Sequence, residues 1–251
     1  VVHPGDAGGE KPDQPVQART FQDGLNGYDG TEDTYITRRL PDLNFNHEIS
    51  LTLRFDDKDE YGKFVDRDSY NPLIRFDLSS VPANALVTSA ILYTYAFTQS
   101  NPSYIDATSH MVLRPWDASE ATWTQAQAGV PWHADGCGWE DRDYQKRESD
   151  WEDQPHANVW YSFDVGRLAQ EWVSYPSRNH GVLLKPHVDV NVAYTFYSSE
   201  APDPSLRPKL VIQYWVPADA PTPTRTATAS GTPATATPTR TPTATATATA
   251  V

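Results

Sequence analysis

LIRFDLSSVPANALVTSAILYTYAF, residues 73–97, holds two β-type runs with a turn between them. Ile74, Phe76 and Leu78 alternate with Arg75 and Asp77, and only Leu73 breaks the alternation. Successive side chains of a strand point to opposite faces, so the run reads as a strand with one buried face. Ser79, Ser80 and Pro82 supply the turn out of it. TSAILYTYAFT at 88–98, rich in β-branched and aromatic residues, reads as the next strand. Arg75 and Asp77, two apart, project from the same face. They could meet each other and fix the strand end, or flank a ligand as an ion pair.

Runs of the same kind recur on both sides. They are DTYIT at 33–37, ISLTLRF at 49–55, PLIRFDL at 72–78, HMVLRP at 110–115, NVWYSFDV at 158–165, GVLLK at 181–185, VAYTFYSS at 192–199 and PKLVIQYW at 208–215. Many short strands separated by turn residues indicate an antiparallel β-sandwich. One helix interrupts them. In DVGRLAQEWVSYP, Val165, Leu168, Ala169, Trp172 and Val173 form a single apolar stripe, Asp164 is placed to cap the start, and Pro176 stops the end. The stretch from Trp116 to Ala157 shows no period. It is expected to be irregular and pinned by Trp116, Trp123, Trp132, Trp139 and Trp151.

With 251 residues, 38% of them hydrophobic, the chain can bury one sizeable core. Residues 1–20 read as a glycine- and proline-rich extended arm, 21–216 as the sandwich and 217–251 as a tail. The net charge is −13, and the tail contributes only Asp219, Arg225 and Arg240, so the acidity belongs to the body. Such a surface repels phosphate backbones and anionic lipids, which argues against nucleic-acid and membrane-surface binding. No run approaches the roughly 18 apolar residues that span a bilayer. A start at Val1 suggests a removed secretory signal, and the single Cys137 excludes an internal disulfide framework. Asn101-Pro102-Ser103 is a sequon blocked by its proline.

The tail has a register of its own. Thr222, Thr224, Thr226 and Thr228 occupy even positions; Thr235, Thr237, Thr239, Thr241, Thr243, Thr245, Thr247 and Thr249 occupy odd ones. Each series places its hydroxyls on one face of an extended chain. The phase changes within Gly231-Thr232-Pro233-Ala234, which is bend chemistry. All twelve threonines are candidates for O-glycosylation. The last proline-free segment, with Thr243, Thr245, Thr247, Thr249 and Val251, could add as a strand to the sheet edge of another copy.

Several motifs now stand in order: GYDGTEDTYI at 27–36, the opening stretch at 73–97, EATWTQAQAGVPW at 120–132, WYSFDVGRLAQEWV at 160–173, GVLLK at 181–185 and FYSSEAPDPSLRPKLVIQYW at 196–215. Together they resemble the DNRLRE-domain family of secreted and surface proteins, over about residues 21–216. The resemblance implies a jelly-roll β-sandwich and a non-catalytic extracellular module, some relatives being classed as carbohydrate-binding modules.

No residue pattern points to catalysis. Zinc motifs, phosphate-binding glycine loops and GxSxG are all missing from the sequence. The 33 acids supply many coincidental pairs, so acid pairs alone do not mark a glycosidase. Asp56, Asp57, Asp59 and Glu60 of DDKDE form either a solvated hairpin tip or a structural calcium site, with Asp29 or Asp33 as further ligands. Trp123, Trp132, Trp139 and Trp151, with Tyr144, could stack on sugars or simply pin their loop. Two functions follow. One is an exported structural subunit of an extracellular fibre or surface layer, joined to other copies through its terminal segments. The other is a polysaccharide-binding module on a Thr/Pro-rich linker.

Overall fold

The computed structural model describes residues 15–55, 69–154, 156–186 and 190–217. The described residues form β1 (Gln17–Phe21), β2 (Thr31–Thr37), β3 (Ser50–Phe55), β4 (Tyr70–Phe76), β5 (Leu86–Gln99), β6 (Ile105–Met111), β7 (Gln125–Gln127), β8 (Val130–Pro131), β9 (Asp150–Gln154), β10 (Val159–Asp164), α1 (Gly166–Ser174), β11 (Val182–Pro186), β12 (Val190–Tyr197) and β13 (Lys209–Trp215). Every strand expected from alternation is present, with one displaced. The expected strand at 110–115 lies at Ile105–Met111 instead. Its register was hidden because Asp106, Thr108, Ser109 and His110 are buried polar residues. His110 satisfies both ring nitrogens, with the Gln145 carbonyl at 3.0 Å and Thr108 Oγ1 at 2.9 Å. β1, β9 and the β7–β8 hairpin carried no apolar alternation to announce them. β9 falls within the stretch expected to be irregular.

A single antiparallel ladder runs β1-β13-β5-β12-β3-β4-β11-β6-β9, with β10 on the other side of β5 and β2 on the other side of β4. It curls on itself, so that the front layer of β5, β13 and β10 shares one apolar core with the back layer of β2, β4, β11 and β6, and β12 and β3 link the two along the ladder. β5 is 14 residues long because it serves two partners in succession, β13 from Leu86 and β12 from Ala96. The core between the layers takes Ala90, Leu92 and Ala96 of β5, Leu210 and Ile212 of β13, Ile74 and Phe76 of β4, Val182 and Leu184 of β11, and Ile105 and Ala107 of β6. This is the all-β sandwich with one helix that the alternation implied.

α1 closes the core with Leu168, Ala169, Trp172 and Val173. Val165 is the N-cap residue, and Asp164 acts one position further out, accepting from the Gly166 N–H at 2.8 Å. Gln170 ties the helix to the start of β5 through the Val87 N–H (2.8 Å) and the Ala85 carbonyl (3.2 Å). Pro176 begins a short 3-10 turn, Pro176–Arg178, where the helix has ended.

A second apolar cluster lies outside the back layer. Ile36 of β2, Leu73 of β4 and Leu183 of β11 pack there against Val112, Trp116, Ala121, Ala126, Trp132, Cys137 and Tyr144. Leu73 therefore breaks alternation for a reason: β4 is apolar on both faces because both are covered. Arg75 shares this outer face, and its partner is Glu32 on β2 rather than Asp77. Its guanidinium sits 4.9 Å from the Trp116 ring centroid and donates to the Trp116 carbonyl at 3.3 Å. Asp77 instead caps the turn, accepting from the Ser79 N–H and hydroxyl at 2.8 and 2.9 Å. No helix among the described residues is long and apolar enough to cross a membrane.

Candidate binding cleft

Between α1, the 3-10 turn and the end of β6 lies a cleft of about 420 Å³ lined by Met111, Val112, Leu113, Gln145, Arg167, Glu171, Arg178 and His180. Each wall has a local cause. After β6 the chain continues beside the returning segment around Tyr144: the Leu113 N–H donates to the Asp143 carbonyl and the Gln145 N–H to the Met111 carbonyl, both at 2.8 Å. That pairing sets Gln145 on the cleft. Arg167 and Glu171, one helical turn apart, project from the polar side of α1. Asn179 anchors the 3-10 turn by donating to the Phe76 carbonyl at 2.8 Å, and the His180 carbonyl accepts from Trp116 Nε1 at 2.7 Å. Gly181 follows with φ +74°, and a Cβ there would lie 2.2 Å from the Ile74 carbonyl oxygen, so only glycine lets the chain turn this closely into β11.

The cleft is rich in donors. Arg167 Nη1 donates to Gln145 Oε1 at 2.6 Å, while its Nη2 is buried without an acceptor. Burial lowers the Arg167 pKa, the nearby Arg147 adds to this, and Glu171 opposes it. Arg178 donates to Glu171 Oε1 at 2.5 Å and lies 4.8 Å from the Tyr175 ring centroid. Burial, then the charge of Arg75, pushes the His180 pKa down, so its imidazole is neutral at pH 7. Two guanidinium groups and a lone, already paired carboxylate suit the holding of an anion. Among the described residues that line the cleft, Glu171 is the one carboxylate.

The residues singled out in the sequence lie elsewhere. Trp132 is 4% exposed, donates from Nε1 to the Thr122 carbonyl at 2.9 Å and belongs to the second cluster, so it presents no ring to a sugar. Trp123 packs partly buried against the same cluster, and its ring fills the space beside Gly136, where a Cβ would meet it at 2.4 Å. Both pin the irregular stretch, as does Trp116. Trp139 and Trp151 are exposed, at 53% and 52%. Trp139 meets His133 edge-on at 6.1 Å, in a loop organised by the fully buried carboxylate of Asp143. That carboxylate accepts from the His133 N–H (2.9 Å), His133 Nδ1 (2.8 Å), the Ala134 N–H (3.0 Å) and the Trp139 N–H (3.1 Å).

Asp56, Asp57, Asp59 and Glu60, and the tail threonines with Val251, lie outside the described residues. Among the described residues no group of three or more His, Cys, Asp or Glu side chains is placed to hold a metal ion. Asp33, offered as a further calcium ligand, is buried and accepts from the Ser199 N–H at 2.8 Å. Burial and the neighbouring Glu200 raise its pKa well above the usual carboxylate range.

A further surface was missed in the sequence reading. On the outer face of the front layer, Tyr95 of β5 stands in register with Trp160 of β10, and Tyr93 and Phe97 of β5 and Tyr197 of β12 share that face, all half-buried. Tyr197 stacks on Phe97 at 4.3 Å and lies near-parallel to Tyr95 at 6.1 Å, Trp160 meets Tyr95 edge-on at 5.3 Å, and Lys209 Nζ sits 4.0 Å from the Trp160 centroid. The signal was the i, i+2, i+4 spacing of aromatics in YTYAF.

A family model described as the disaggregatase related repeat domain matches residues 59–212. No protein with curated annotation matches the chain. The matched span contains the cleft and four of its motifs, from the opening stretch to GVLLK, and its description is not that of the DNRLRE domain that those motifs resemble.

Proposed function

The chain belongs to the disaggregatase related repeat domain family, and from that premise we propose that it is a non-catalytic module of an exported protein that binds an acidic polysaccharide in the cleft beside α1. The observation that carries this reading is the placing of two guanidinium groups, Arg167 and Arg178, on one cleft, with Arg167 oriented by its bond to Gln145. A carboxylate or sulfate oxygen that meets a guanidinium group on this wall gains a charge-assisted hydrogen bond. Arg178 stands beside Arg167 as a second positive group. The cleft volume falls in the usual range for small-ligand sites. The acidic body repels polyanions at long range, so attraction is confined to the few ångströms where the two arginines act, and salt weakens it.

The test is affinity electrophoresis through gels containing a polyuronate or a neutral polysaccharide. The polyuronate retards the protein, added salt relieves the retardation, and Arg167→Gln loses about tenfold or more in affinity. Equal retardation by the neutral polymer, or full affinity in Arg167→Gln, refutes the reading. Assembly into a fibre through residues 217–251 is a separate proposal, supported by the threonine register of the tail.

A further inference from the structure

Glu171 is the acid among the residues that line the cleft, and its Oε1 holds Arg178 at 2.5 Å. In a site built for acidic groups, a carboxylate of the protein on one of the two guanidinium groups does what a ligand would do. We propose that Glu171 is a built-in competitor, seated on Arg178 until the carboxylate of an acidic sugar displaces it, and that it thereby sets the affinity and charge selectivity of the cleft. This inference rests on the acidic-polysaccharide reading above.

The two arginines differ in the way this exchange requires. Arg167 is fixed, half-buried and tied to Gln145 at 2.6 Å. Arg178 is open: its side chain is 62% exposed and that of Glu171 33%. An ion pair so exposed is worth little, so trading one carboxylate for another on Arg178 has a small barrier in free energy. Arg178 keeps its place during the exchange. Its guanidinium also rests over the Tyr175 ring, and its turn is anchored through Asn179 to the Phe76 carbonyl. Once displaced, Glu171 still stands in the wall, where its charge repels a ligand carboxylate and supports the charge of Arg167. The competition for Arg178 and the repulsion both lower the affinity for acids, against the smaller support given to the Arg167 charge, and leave that for neutral sugars untouched. The sequence spacing disguises this role. Glu171 follows Arg167 by four residues, the spacing of an ordinary helix ion pair, yet the folded chain gives it to Arg178 across the mouth.

Isothermal titration of the wild-type chain, Glu171→Gln, Glu171→Gln/Arg178→Gln and Arg167→Gln with an oligoglucuronate, and with its carboxyl-reduced neutral counterpart, tests the inference. Thermal melts confirm that each variant is folded. Glu171→Gln is expected to bind the acidic probe about fivefold more tightly, a gain in line with the release of one exposed pair. Its affinity for the neutral probe is unchanged, and the double variant loses the gain. If Glu171→Gln binds the acidic probe no better than wild type while Arg167→Gln still loses about tenfold or more in affinity, the competitor is refuted and the binding module stands. If neither wild type nor Glu171→Gln binds the acidic probe, the module reading falls and the competitor with it.

Discussion

The two outer faces of the sandwich are written in the same alternating code and meet different fates. On the back layer, Ile36, Leu73 and Leu183 point outward and are covered by residues 112–144, which build a second core around Trp116. On the front layer, Tyr93, Tyr95, Phe97, Trp160 and Tyr197 point outward and remain half-buried, packed mainly on one another. A strand fixes which residues share a face, but not whether another segment arrives to cover it. Coverage changes what a side chain is worth. Leu73 contributes as a core residue, whereas Tyr197 contributes through neighbouring rings on a wet surface.

The largest effect expected from this contrast is at Trp116. Trp116→Ala should destabilise the protein by about 3–5 kcal/mol, because a fully buried indole leaves a cavity and its bond to the His180 carbonyl is lost. Urea denaturation measures it. A loss comparable to that of a front-face aromatic would break the distinction between the faces.

Asp143 comes next, since it ties the covering segment to itself. Burial raises its pKa, but the donors from His133, Ala134 and Trp139 outweigh burial and hold it below the ordinary aspartate value. A depressed folded pKa contributes stability above the unfolded pKa of about 3.9 and loses it as pH falls through the folded value. Asp143→Asn should cost about 2 kcal/mol near neutrality and flatten the acid limb of the stability curve. Melting curves from pH 7 to pH 2 compare the two proteins. An unchanged acid limb would show that the covering segment is not held by this carboxylate.

Tyr197→Ala, on the bare face, should cost about 1 kcal/mol, the scale of cross-strand aromatic contacts. The same urea titration measures it. A cost near that of Trp116→Ala would mean that the front face is a second covered core. The smallest effect is expected from truncation after Pro217. The described residues that line the cleft all fall between Met111 and His180, so the affinity for a polyuronate should not change.

Much of the fold could be read in advance from particular residues. The alternation in LTLRF and AYTFY gave β3 and β12, and the stripe from Leu168 to Val173 gave α1. β6 escaped because its inward and outward positions include Asp106, Thr108 and His110, and the partners that Thr108 and His110 find in the Lys185 and Gln145 carbonyls lie far along the chain. The tryptophans were legible as pins. As a sugar platform Trp132 fails, because aromatic content does not reveal which rings the second core will swallow. The cleft was not legible at all. Gln145, Arg167, Arg178 and His180 carry no shared motif, and it is the β6 end, the helix and the turn that bring them together.

What the sequence determined by itself is local: strand periods, the helix stripe, the turn residues and the sign of the surface charge, each a property of neighbours within a few positions. Only the tertiary structure decided which sheet face the unpatterned stretch would cover, that Arg75 would pair with Glu32, and that Glu171 would pair with Arg178. Those outcomes depend on burial and on partners separated along the chain, and a short-range period carries no information about either.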